Sequence, residues 1–146
     1  MKPIFVLNGP NLNRLGKREP HIYGTTTLAE VEAACSEAAG DRPVRFHQTN
    51  AEHQLVDWVH EAIDDGAGIL INPAGLSFRS IPLLDALKMF PGPIIELHIS
   101  NIHRREEIYR HSLVSTAATA VIAGLGARGY ALGVRALIDL IEQGER

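Results

Sequence analysis

The sequence predicts an α/β fold: a doubly wound, five-stranded parallel sheet with helices on both faces. Two observations lead there. Short apolar runs alternate five times with helix-length runs along the 146 residues, and Gly, Pro and Asn punctuate the boundaries. Strand and helix alternating in this way argue for a parallel sheet covered on both sides. Five short units fit a flavodoxin-like sheet better than a six-stranded dinucleotide-binding one.

The elements follow in order. Residues 3–8 read as a strand. Residues 27–39 read as a helix, with Thr25 to Thr27 as candidate N-caps, Glu30 in the first turns and Gly40 as the stop. Residues 43–48 form a short strand, and Asn50 is placed to cap a second helix through about Asp65. Leu55, Val59 and Ile63 recur on one face of it, with Trp58 and Ala62 beside them. Gly66 and Gly68 end that helix. Ile69 to Ile71 is a third strand, halting at Asn72-Pro73. Ser80 caps a third helix with Pro82 in its first turn, where a missing N–H costs little. Ile94 to Ile99 is the fourth strand, Ala118 to Ala123 the fifth, and Gly129 to Glu142 the last helix. No linker or internal repeat interrupts residues 1–146, which read as one catalytic domain.

Composition narrows the function. A formal charge of −3 gives no reason to expect nucleic acid or an anionic membrane as partner, whereas a small anionic ligand needs only local arginines. No apolar run approaches the ~18 residues that span a bilayer, and the first residues show no signal-peptide pattern. With Cys35 alone, no intramolecular disulfide forms; it reads as a small buried apolar side chain. The expected location is the cytoplasm. No glycine-rich phosphate loop is present, and the seven histidines lack metal-ligand spacing, so His47, His53 and His60 read as ordinary surface or helix residues and no metal or cofactor is expected.

Chemistry concentrates where strands end. The first strand runs into Asn8-Gly9-Pro10-Asn11-Leu12-Asn13, followed by Arg18-Glu19-Pro20-His21-Ile22-Tyr23-Gly24. Loops at the carboxyl ends of parallel strands carry the ligand chemistry of open α/β sheets. A free phenol has a pKa of about 10, and a neighbouring arginine favours its ionised form. Arg18 is one candidate partner for Tyr23; Arg104, Arg105 and Arg110 are others. Alternation in the fourth strand puts Ile95, Leu97 and Ile99 on one face and Glu96, His98 and Ser100 on the other. A Glu and a His on one face of a doubly covered sheet read either as a buried stabilising pair or as a carboxylate orienting a catalytic imidazole. A phenolate base and a His acid together remove a proton and expel a hydroxyl.

Leu7-Asn8-Gly9-Pro10-Asn11-Leu12-Asn13, Arg18-Glu19-Pro20, Tyr23-Gly24, Ile71-Asn72-Pro73, Glu96-Leu97-His98-Ile99-Ser100-Asn101-Ile102-His103 and Arg105-Glu106-Glu107 together carry a resemblance. The chain resembles the type II 3-dehydroquinate dehydratases over nearly its full length. That resemblance implies a lyase of the shikimate pathway and aromatic amino acid biosynthesis, or of quinate metabolism. It implies a flavodoxin-like fold assembled as a trimer-based homododecamer, with no metal and no Schiff base. Tyr23 would be the base beside the ketone, with Arg18 and Arg105 favouring its ionised form. His98, held by Glu96, would protonate the departing C1 hydroxyl. Asn11 would hold a water on the enolate oxygen. Asn72 and the backbone N–H groups of Ile99 and Ser100 would take the carboxylate. Asp85 would reach a neighbouring subunit's site, and Gly16 to Gly24 would be a lid.

Two positions depart from the family pattern. Phe78 stands where a histidine belongs, and Tyr109, four residues after Arg105, where the family has a second arginine. In the family those side chains bind the ring hydroxyls at C4 and C5. Arg79 is placed either to replace the lost guanidinium or simply to face solvent. Three functions follow: dehydration of 3-dehydroquinate; dehydration of an analogue such as 5-amino-5-deoxy-3-dehydroquinate, whose cation an arginine would repel; or a non-catalytic paralogue.

Overall fold

The computed structural model describes residues 1–145. Its strands are β1 (Ile4–Asn8), β2 (Val44–Gln48), β3 (Gly68–Asn72), β4 (Ile94–His98) and β5 (Ala120–Ala123). Its helices are α1 (Pro20–Tyr23), α2 (Leu28–Ala39), α3 (Glu52–Asp65), α4 (Ile81–Lys88) and α5 (Gly129–Glu145). All strand pairs are parallel, in the order β2-β1-β3-β4-β5. This is the expected doubly wound, flavodoxin-like sheet, and its strand order reverses direction between β1 and β3.

Two apolar layers hold it together. On one face Val6, Leu70 and Leu97 pack with Val31 and Cys35 of α2 and Val134 and Leu137 of α5. On the other, Phe5, Leu7 and Ile71 pack with Leu55 and Val59 of α3 and Leu83 and Leu87 of α4. β1, β3 and β4 are buried along their whole length. Strands buried on both faces read as near-continuous apolar runs, and Glu96 and His98 are the polar interruptions in β4.

Several boundaries differ from expectation. Asn50 does not cap α3. Ala51 is its N-cap residue, and the Asn50 side-chain oxygen instead accepts from the Asn11 backbone N–H at 2.9 Å. Gly68 begins β3 rather than ending α3, because its N-terminal neighbour Ala67 already bonds the Pro3 carbonyl at 2.8 Å. β5 starts at Ala120, since Ala117 and Ala118 still donate to the carbonyls of the preceding turn. α5 continues past Glu142 to Glu145. His47 lies half-buried on β2, stacked on Trp58 with ring centroids 4.5 Å apart, rather than on a surface or a helix.

Candidate active site

The site is built where the central strands stop. Asn8 and Asn72 lie side by side in register at the carboxyl ends of β1 and β3, beside the point where strand order reverses. The next residue, Gly9, donates its N–H to the Asn72 carbonyl at 2.8 Å. A Cβ on Gly9 would lie 2.4 Å from the Pro73 carbonyl oxygen, so only glycine permits this approach. Beyond the two strands, Asn11 (φ 73°) and Ala74 (φ 53°) both take left-handed backbone. Asparagine tolerates this locally, while alanine is strained there, as residues at functional sites often are.

Between these loops lies a cavity of about 180 Å³. Asn11, Arg18, Tyr23, Asn72, Phe78, His98, Ile99, Ser100, Arg105 and Tyr109 all line it. Residues far apart in the chain thus converge on one volume. A wider cleft of about 870 Å³, between Met1, Arg42 and Glu145, is lined by none of them. Among the described residues no group of three or more His, Cys, Asp or Glu side chains is arranged to hold a metal.

Glu96 and His98 point to the same side of β4, as strand alternation requires. His98 Nε2 and Glu96 Oε2 are hydrogen-bonded, and Ser115 Oγ donates to the other Glu96 oxygen at 2.5 Å. Glu96 is fully buried and His98 only 4% exposed. Burial pushes the Glu96 carboxyl up, but the hydrogen bonds from His98 and Ser115 and the nearby imidazole charge outweigh it and hold the carboxyl below its ordinary range. With Nε2 engaged, Nδ1 has no hydrogen-bond partner among the described residues. Such a pairing fixes ring orientation and tautomer.

Tyr23 sits at the end of α1, a single turn started by Pro20 after Glu19 in left-handed backbone (φ 37°). The Arg18 guanidinium carbon lies 4.8 Å from the Tyr23 ring centroid and that of Arg105 5.9 Å. The other candidate partners are elsewhere: Arg110 donates to the Arg105 carbonyl at 2.6 Å, and Arg104 is exposed outside the cavity. The two family departures touch each other. Phe78 stacks on His98 at 6.2 Å and meets Tyr109 edge-on at 5.6 Å, while Arg105 lies 4.1 Å over the Tyr109 ring.

Two predicted participants lie apart from this group. Asp85 is exposed on α4 and does not line the cavity of its own chain; Arg79 is likewise exposed and outside it. The exposed position of Arg79 agrees with a solvated arginine, not with a replacement guanidinium in this cavity. Two participants escaped the sequence reading. Ser115 supports Glu96 from the segment before β5, and Tyr130 holds Asn72 from α5. Neither carries a local signal, because a serine in a turn and an aromatic in a helix are commonplace.

A family model described as dehydroquinase class II matches residues 2–138. The chain belongs to that family. Within it, the chain is 54% identical over 146 residues to 3-dehydroquinate dehydratase 2 of Agrobacterium fabrum, covering 98% of this chain and 99% of that protein. It is 54% identical over 145 residues to a 3-dehydroquinate dehydratase of Streptomyces avermitilis, covering 97% and 91%. The fold is similar to a type II dehydroquinase from Propionibacterium acnes, with a TM-score of 0.91 and 47% identity over 95% of this chain and 97% of that one. A more distant dehydroquinase family likeness, a 3-dehydroquinate dehydratase-like protein from Bifidobacterium longum, gives a TM-score of 0.73 at 29% identity over 97% and 99%.

Proposed function

We propose that this protein is a hydro-lyase that converts 3-dehydroquinate to 3-dehydroshikimate and water through an enolate. The observation that carries this reading is one cavity holding a tyrosine flanked by two guanidinium groups and a histidine oriented by a buried glutamate. Tyr23, as phenolate, takes the proton from the carbon beside the ketone. Arg18 and Arg105 offset the negative charge on its oxygen. The electrons pass to the ketone oxygen as an enolate, where Asn11 holds a water. The enolate then expels the C1 hydroxyl as C1=C2 forms, and His98 supplies the proton that makes it water. Glu96 keeps the imidazole aligned. Asn72, with the backbone N–H groups of Ile99 and Ser100, receives the carboxylate.

The same reading takes residues 1–146 as one catalytic domain, since both apolar layers share one sheet. It sets the reaction in the cytoplasm, in keeping with a single buried cysteine, and within aromatic amino acid biosynthesis or quinate breakdown. It assembles the chain as a trimer-based homododecamer. Exposed Asp85 then serves a neighbouring subunit's site, and exposed Val121 and Leu125 are covered. No helix among the described residues is long and apolar enough to cross a membrane.

A second reading has its own observation. Phe78 and Tyr109 pack together where ring hydroxyls would be read, offering an aromatic wall and one phenol. That wall, with a neutral phenol at position 109 in place of a second guanidinium beside Arg105, suits a dehydroquinate analogue bearing an amine at C5.

Enone absorbance separates the readings. Rapid product formation from 3-dehydroquinate, reduced about 10²- to 10⁴-fold in Tyr23→Phe, supports the first, since that is the usual worth of a general base. Turnover of the 5-amino analogue alone supports the second. Inertness toward both, with no thermal stabilisation by either, defeats both and leaves a non-catalytic paralogue.

A further inference from the structure

Tyr130 is 1% exposed, lies in the first turns of α5, and does not line the cavity. Its ring fills the apolar layer between sheet and helices, a task phenylalanine would perform equally well. Its hydroxyl needs another explanation, because burying an unbonded hydroxyl is costly. That hydroxyl donates to Asn8 Oδ1 at 2.7 Å and accepts from Asn72 Nδ2 at 2.9 Å.

The direction of every bond in this relay is forced from its ends. At one end Asn8 faces the His47 carbonyl at 3.0 Å. A carbonyl only accepts, so Asn8 must turn its nitrogen there and its oxygen toward Tyr130. Tyr130 has one hydroxyl proton, which goes to that oxygen. Burial raises its pKa above the ordinary range, so the proton stays. The phenol then has only lone pairs to offer Asn72, which must present its nitrogen. At the other end the Ala74 N–H, which only donates, meets Asn72 Oδ1 at 3.2 Å. Two backbone groups of opposite polarity thus leave one orientation for the Asn72 amide. One N–H of Asn72 Nδ2 remains for the cavity.

We propose that Tyr130 is a positioning residue that locks the side-chain amide of Asn72 so that an N–H donor, rather than a carbonyl, faces the substrate's carboxylate. This rests on the reaction proposed above for the identity of the anion, but the orientation of the amide is independent of it. A reversed amide would set a lone pair against a carboxylate and repel it. The strained backbone of Ala74 has a purpose in the same device, since its left-handed conformation accompanies the N–H bond to Asn72.

The test is a double-mutant cycle on the full chain. In Tyr130→Phe, KM for 3-dehydroquinate rises about 3- to 10-fold while kcat stays within about twofold, because misaligning a charge-assisted hydrogen bond weakens ground state and transition state alike. In an Asn72→Ala background the same change leaves KM unaltered. A fall in kcat as large as the rise in KM, an unaltered KM, or a full effect persisting in Asn72→Ala would overturn the proposal. The amide is also read directly in the unaltered protein by ¹⁵N–¹H correlation. The expected result is Asn72 Nδ2 protons protected from exchange with solvent, one of them giving an NOE to the Tyr130 ring; protons that exchange as fast as those of a free amide, or that lack this NOE, would overturn the proposal even if Tyr130→Phe does not fold. Failure of the unaltered protein to turn over 3-dehydroquinate counts against the proposed reaction alone, and the amide signals still decide the role of Tyr130.

Discussion

Phe78 stacks on the imidazole of His98 and against the edge of Tyr109, so two changes of residue type act as one surface. If the guanidinium missing at position 109 limits recognition of the ring hydroxyls, Tyr109→Arg raises kcat/KM for 3-dehydroquinate about 10- to 150-fold, the worth of one charged hydrogen bond. Steady-state kinetics check this, and unchanged values would defeat it. Glu96 carries a pH signature. Its carboxyl is held below its ordinary range in the fold despite burial, so near neutral pH its ionised form favours the native state. The unfolded chain binds that proton first as pH drops. The stabilisation is therefore complete above the ordinary carboxylate value of about 4.3 and fades as pH falls through the lower native value. Urea titrations of the protein and of Glu96→Gln should differ most near neutrality and converge in acid. A difference independent of pH would refute the assignment.

The helices and turns that carry these residues obey local rules. α2 opens with a capping box in which Thr27 Oγ1 accepts from the Glu30 N–H and the Glu30 carboxylate accepts from the Thr27 N–H. Thr27→Ala should lower unfolding free energy by about 1 kcal/mol, measured by chemical denaturation, because orphan N–H groups at the helix start lose their acceptor. α2 begins at Leu28 after the Tyr23 turn, and Gly24 (φ 78°) opens the short link between the two. Thr27 therefore anchors the chain beyond the proposed lid, and kcat should survive the change better than stability does. α1 is a different case. Four residues cannot form a stable helix by propensity, and Pro20 with left-handed Glu19 defines the turn that aims Tyr23.

The assembled sheet decides which chemistry meets. Its order places β1 and β3 side by side, with β4 next, so the proposed base, acid and carboxylate site arise from three chain segments brought to one edge. β5 closes the other side of the sheet and leaves Val121 45% and Leu125 46% exposed, a surface the proposed assembly would cover. Val121→Asp should then shift the protein toward smaller species in sedimentation velocity, since burying an unpaired carboxylate at an interface is costly. An unchanged profile would exclude β5 from the contact.

Much of this was legible in the residues. Gly, Pro and capping threonine or serine act within a few positions, so the order of elements, the Ser80 cap and a cap among Thr25 to Thr27 could be read directly, and the structure selects Thr27. The Glu96–His98 pair was legible for the same reason, because strand alternation alone sets two residues of i and i+2 on one side. Asn50 misled because its oxygen bonds a loop 39 residues away rather than the helix beside it. Tyr130 bonds Asn8 across 122 residues, and Ser115 bonds Glu96 across 19. No local pattern encodes such partners. Composition and spacing determine which chemical groups the chain owns and on which face of a strand or helix they stand. Which of them share a cavity, and which way a buried amide must turn, is decided only when packing brings distant donors and acceptors within hydrogen-bond reach and leaves no water to satisfy them otherwise.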